Sequence, residues 1–122
     1  MISILISSEP RYKFSRKKVR QAAENFLREK GLDDIEVSLA VVGTRKIRSL
    51  NKNFRKIDEA TDVLSFPLEE ARGEDGILRL GDVVVCYPKA REEAAEEEKF
   101  LDEKIIELVE HGLKHLLGEN HN

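Results

Sequence analysis

The chain has 122 residues, of which 40% are hydrophobic and 37% charged, with one cysteine, no tryptophan and a formal net charge of −3. That size and apolar content suit one compact domain over residues 1–122; the apolar runs fall far short of the roughly 20 residues that cross a bilayer, and a lone cysteine excludes a disulfide framework within the chain. The net charge argues against a general nucleic-acid binder, yet residues 1–67 hold 14 Lys/Arg against 9 Asp/Glu while residues 68–122 hold 7 against 15, so the first half can offer phosphates a local basic footprint.

Met1 to Ile6 alternates apolar and polar residues, has no basic start and no small-residue cleavage site, and therefore reads as a strand rather than a signal peptide. With the cysteine count, this points to a cytoplasmic protein. Ser15 is placed to cap a helix over about 16–30, with Val19, Ala22, Ala23, Phe26 and Leu27 as its apolar stripe and Gly31 at its end. Ile35 to Val42 is a second strand, rich in β-branched residues. Gly43-Thr44 turns the chain into a helix running to about Asn53, with Thr44 as N-cap and Ile47, Leu50 and Phe54 facing inward. Arg45, Arg48, Lys52 and Arg55 form a basic stripe on another face of that helix.

A polar loop over 56–61 leads to a short strand from Asp62 to Phe66, stopped by Pro67. Residues 69–79 read as an acidic loop, and Gly81 to Tyr87 as a strand buried on both faces, with Cys86 a small core residue. Asp82 is expected in the turn before it, Ser65 is expected to point outward, and Phe54, Phe66 and Tyr87 are expected in the core. Pro88 can open a helix to about Glu98. The last helix spans about 102–117, with Ile106, Val109, Leu113 and Leu116 inward, and Gly118 closes it. The simplest layered solution for this order is a mixed sheet of about four strands with helices packed on it.

All three histidines lie near the C-terminus: His111, His115 and His121. The first two are four apart on a helix, so they point the same way and can reach one ion. Gly118 lets the chain turn back and bring His121 to the same point. Three imidazoles leave one position open on zinc, with nitrogen–metal distances of about 2.0–2.1 Å, and suit zinc, nickel or another divalent transition metal better than magnesium. Zinc proteases with H-E-x-x-H place a glutamate base after the first histidine. Gly112 stands there instead, Glu110 points about 100° away around the helix, and Glu119 lies in the returning turn.

The segment His111-Gly112-Leu113-Lys114-His115-Leu116-Leu117-Gly118-Glu119-Asn120-His121 resembles the H-G-x-x-H-L-x-G-x-x-H signature of the YbeY family of bacterial ribosomal-RNA maturation endoribonucleases. Leu50-Asn51-Lys52-Asn53-Phe54-Arg55, then Thr61-Asp62-Val63-Leu64-Ser65-Phe66-Pro67, and Leu80-Gly81-Asp82-Val83 resemble three further stretches of that family in the same order. The resemblance implies a zincin-like α+β fold and a zinc-dependent hydrolase of single-stranded RNA. Its setting would be ribosomal-RNA processing and ribosome quality control, with the ribosome or its small subunit as partner and no membrane contact. It places the zinc ligands at His111, His115 and His121 and a catalytic arginine at Arg55. Glu119-Asn120 departs from the family's Tyr-Asp before the last histidine, and Lys114 stands where an apolar residue is usual. Two other readings are a ribosome-associated binding factor with a structural zinc site and a hydrolase of another substrate, such as a peptide. The missing glutamate after His111 argues against the peptide.

Overall fold

The computed structural model describes residues 1–68 and 72–119. Their elements follow in the order β1 (Ile2–Ser8), α1 (Arg16–Glu29), β2 (Ile35–Val42), α2 (Thr44–Arg55), β3 (Val63–Pro67), β4 (Leu78–Cys86), α3 (Tyr87–Glu96) and α4 (Leu101–Leu116). The four strands form one mixed sheet in the order β1-β2-β4-β3, in which β1, β2 and β4 run parallel and β3 returns antiparallel to β4. This is the α+β arrangement that the sequence predicts. Among the described residues, no helix is long and apolar enough to cross a membrane.

The period-two burial of β2 and β4 divides the core into two. Val37, Leu39, Val83 and Val85 face α1 and α4, where they meet Val19, Ala23, Leu27, Ile105, Val109 and Leu113. Val84 and Cys86 face the opposite way, toward Ile47 of α2 and Leu64 of β3. The sheet is therefore covered on both faces, thickly on one and thinly on the other. The Ser15 hydroxyl accepts from the Lys18 amide at 3.1 Å and caps α1 as expected. Arg16 and Arg20 reach back from α1 and donate to the Ile6 and Ile4 carbonyls of β1, at 2.9 and 3.5 Å.

Several local expectations change. Gly43, not Thr44, is the N-cap of α2; Thr44 is its first helical residue, with its hydroxyl 4.0 Å from the Cys86 sulfur. Phe54 does not face the core. It is 67% exposed and packs edge-on against Phe66 at 5.3 Å, because the chain leaves α2 one residue later and no other described element is packed over that turn. The β4 strand begins at Leu78 rather than Gly81, so Asp82 lies within the strand and not in a turn. Gly81 has φ +128° where the β2–β4 register shifts, and a side chain there would meet the Phe66 carbonyl at 2.2 Å. The sequence signal for this strand started late because its first half is broken by Arg79 and that glycine. Of the expected acidic loop, residues 69–71 lie outside the described residues.

Candidate metal centre

The helix α4 forms because apolar residues recur along it at spacings of three and four: Ile105, Leu108, Val109, Gly112 and Leu113 are buried, and Ile106 and Leu116 pack at the margin. The same periodicity leaves His111 and His115 together on the exposed side. Their rings stack with centroids 4.9 Å apart and 11° between planes, and their Nε2 atoms are 3.0 Å apart. Two imidazole nitrogens that converge in this way fit a single ion with nitrogen–metal distances of about 2.0–2.1 Å. Neutral aromatic nitrogen also suits zinc-class ions rather than magnesium. Gly118 takes φ +79°, which only glycine adopts without strain, and the turn it makes brings Glu119 back to the cavity beside the histidines. His121 lies outside the described residues. Among the described residues, no group of three or more His, Cys, Asp or Glu is gathered at ligand distance.

Gly112 explains why the motif lacks the protease glutamate. A side chain at this position would meet Val83 Cγ1 at 2.5 Å and Cγ2 at 3.0 Å, and the Ser65 hydroxyl at 3.1 Å. The residue after His111 thus faces the sheet and has no room for a carboxylate. Ser65 does not simply point outward: its hydroxyl donates to the Gly112 carbonyl at 3.0 Å and ties β3 to α4 between the two histidines.

Two cavities flank the imidazole pair. One, of about 530 Å³, is lined by Arg55, Thr61, Asp62, Ser65 and Pro67 together with both histidines. The other, of about 390 Å³, is lined by Asp62, Lys104, Glu107, Glu110 and Glu119 with the same histidines. Arg55, eleven residues into α2 and far from α4 in sequence, therefore shares a cavity with His111 and His115. Asp62 lines both cavities, and its carbonyl accepts from the Cys86 amide at 2.8 Å as β3 begins. By sequence Asp62 only opens a short strand; the Thr61-Asp62 step at the mouth of that strand is the available signal.

Behind the histidines lies Lys104, 5% exposed, with Glu93, Glu97 and Glu107 at 3.3, 2.9 and 2.9 Å. Burial opposes its charge, but hydrogen bonds from the ammonium to Glu97, Glu107 and Glu93 outweigh that and hold its pKa well above the ordinary lysine value. The same bonds hold Glu97 and Glu107 below the usual carboxylate range. Burial, aided by the neighbouring Asp62 carboxylate, pushes Glu93 up. Burial also raises Glu110. The site is thus graded, from a guanidinium on the α2 side to partly desolvated carboxyls on the α3–α4 side.

The sequence model of the endoribonuclease YbeY family matches residues 6–122. The chain belongs to this family. It is 40% identical over 121 residues to the endoribonuclease YbeY of Anaeromyxobacter sp. strain Fw109-5, covering 98% of this chain and 62% of that relative. The Aquifex aeolicus YbeY is 41% identical over 109 residues, covering 89% of this chain and 71% of its own length. The Sulfurihydrogenibium sp. YbeY is 39% identical over 119 residues, covering 97% and 78%. The chain therefore spans between three-fifths and four-fifths of the length of these YbeY relatives. Its fold is similar to the solution structure of TM1509 from Thermotoga maritima, with a TM-score of 0.63 and 30% identity, covering 98% of this chain and 75% of that one.

Proposed function

We propose that residues 1–122 act as one domain, a zinc-dependent endoribonuclease that prefers single-stranded RNA and works in cytoplasmic ribosomal-RNA maturation and ribosome quality control, with the ribosome or its small subunit as partner. The observation that carries the reading is the convergent His111–His115 pair in one cavity with Arg55; family membership supplies the RNA substrate class. His111 and His115, with His121 as the third ligand, would hold zinc or another divalent transition metal. When bound, such an ion supplies a water of lowered pKa and neutralises charge on a phosphate. Arg55, exposed at the end of α2, grips the phosphate through its planar fork and offsets the charge that builds up as the phosphodiester bond breaks. Asp62 stands in both cavities, where it can orient water or take a proton. No glutamate stands after His111, so the protease-type base position is empty of candidates and the peptide reading loses its support.

The test is purification without added metal, elemental analysis, and cleavage of single-stranded RNA by the parent chain, His111→Ala, Arg55→Ala and Arg55→Lys, with and without chelator. Chelation and His111→Ala are expected to abolish cleavage and lower bound metal. Arg55→Ala should lower cleavage by about 10²-fold or more with metal retained and stability changed by no more than roughly 0.5 kcal/mol. Arg55→Lys should rescue only in part, because it keeps the charge without the fork. Cleavage that survives complete metal removal would refute the reading; metal retained with no cleavage of any RNA would favour a binding factor with a structural ion.

A further inference from the structure

A cavity of about 1400 Å³, more than twice the volume of either one beside the histidines, opens elsewhere, at the C-terminal ends of the parallel strands β1, β2 and β4. Its walls are the segment after β1, the start of α2, the start of α3 and Leu101. Among the described residues they carry Arg11, Lys13, Arg45, Lys46 and Arg91 against a single carboxylate, Glu9, in a chain whose net charge is −3. Glu9 is taken by Arg11 at 2.9 Å. Among the described residues, Lys13, Arg45, Lys46 and Arg91 are exposed and make no ion pair or side-chain hydrogen bond. Some cations elsewhere on the surface are paired, Arg48 with Asp58, Arg79 with Asp75, and Lys99 with Glu107, but among the described residues no such group of four stands together around one cavity as here.

The local backbone sharpens the charge. Both α2 and α3 begin at this cleft without a side-chain cap and without an acidic residue in the first turn. Arg45 and Lys46 occupy the first turn of α2, where the helix dipole already favours anions, so they oppose the helix that carries them. That arrangement is unfavourable in the free protein and becomes favourable once an anion sits between the helix ends and the side chains. Gly43 is closed over by the Tyr12 hydroxyl, which a side chain at 43 would meet at 2.5 Å. Tyr12 stacks on Tyr87 at 4.5 Å, and the Arg11 guanidinium lies 4.9 Å from the Tyr12 ring centre.

The cleft is too large for one phosphate, and cavities for small molecules run to about 1,000 Å³. A basic groove with aromatic rings in its wall matches single-stranded nucleic acid, whose backbone follows the charge and whose bases can stack. The helix α2 joins this cleft to the other site: Arg45 stands in the cleft, Lys52 is exposed along the way, and Arg55 lines the histidine cavity. Ten residues of helix span about 15 Å, a few nucleotides of extended strand. We infer that the cleft is a second binding site for the phosphate backbone of single-stranded RNA, holding the strand whose scissile bond lies at His111 and His115. This rests on the nuclease reading for its geometry, but its binding can be measured without turnover.

The experiment is fluorescence anisotropy with a labelled 12-nucleotide single-stranded RNA, checked intact by gel, on the parent chain, Arg45→Gln/Lys46→Gln and Lys13→Gln/Arg91→Gln. Each double variant is expected to weaken binding at least fivefold. Each should also make the slope of log affinity against log salt shallower by about 1.4, since each lost single-strand contact accounts for about 0.7. The Arg45→Gln/Lys46→Gln melting temperature should match or exceed the parent's, because the change removes cations from a helix N-terminus; this separates lost binding from lost folding. A loss of less than fivefold in either variant overturns the site, whether or not RNA is cut. RNA bound through these residues but never cut keeps the site and removes the nuclease reading.

Discussion

Gly112 fixes how closely α4 lies on the sheet, and so where the imidazole pair sits. With a methyl group at this position 2.5 Å from Val83 Cγ1, either the helix or β4 must shift. Gly112→Ala is expected to lower stability by about 1–3 kcal/mol and to reduce metal content, as read by urea denaturation and elemental analysis. The second-site change Val83→Ala, which clears the space, should recover part of both; no recovery would place the cost in the helix rather than in the contact. The residue scale is also where sequence reading was most uneven. His111 and His115 were legible because four-residue spacing on a helix forces two side chains onto one face. The entry of Asp62 into both cavities and the Ser65 bond to Gly112 were not, because each depends on which strand of the sheet lies beneath α4.

Between α3 and α4, Lys104 holds Glu93, Glu97 and Glu107 in one network. The paired Glu97 and Glu107 have lowered pKa values, so their stabilisation is present above the ordinary value of 4.5 and is lost as pH falls through their folded values. Glu93 is raised, so its contribution runs the other way, present below 4.5 and lost as pH rises through its folded value. Two depressed carboxyls against one raised should leave a net acid lability. The parent's melting temperature is expected to fall more steeply below pH 4.5 than that of Lys104→Met, measured from pH 3 to pH 8. At neutral pH Lys104→Met should cost about 1–3 kcal/mol, less than a fully buried pair because Glu97 and Glu107 are 40% and 48% exposed. Parallel pH profiles for the two proteins would remove the network from acid stability. Elements themselves were read well where periodicity ran unbroken, as in β2 and α4. Their ends are less legible, because Arg79 and Gly81 interrupt the pattern of the first half of β4 and nothing in the pattern tells that α2 leaves Phe54 exposed.

Taken as a whole, the molecule has a thick core under α1 and α4 and a thin one under α2, where Ile47, Leu64, Val84 and Cys86 are the buried members. Regions with few buried apolar contacts open first. Backbone amides of α2 are expected to exchange with deuterium through openings of lower free energy than those of β2 and β4, in native-state hydrogen exchange of the metal-loaded protein. Equal protection of α2 and the central strands would show that the two layers unfold together. The fold class followed from the alternation of strands and helices in the sequence, whereas the strand order β1-β2-β4-β3 did not, since no local pattern states which strands become neighbours.

The two arginines of α1 that donate to Ile4 and Ile6 have a consequence for solubility under stress. The strand β1 forms one border of the sheet, and its outward carbonyls are acceptors that an identical chain could use to extend the sheet. Arg16 and Arg20 occupy them and set positive charge along that border. At the other border, β3 is five residues long and ends in Pro67, which offers no amide. Arg16→Ala/Arg20→Ala is expected to leave the secondary structure unchanged while raising light scattering and thioflavin binding on gentle heating. Mild acid should not promote this assembly in the parent, because these plugs are hydrogen bonds to backbone carbonyls from a group that stays charged at every working pH.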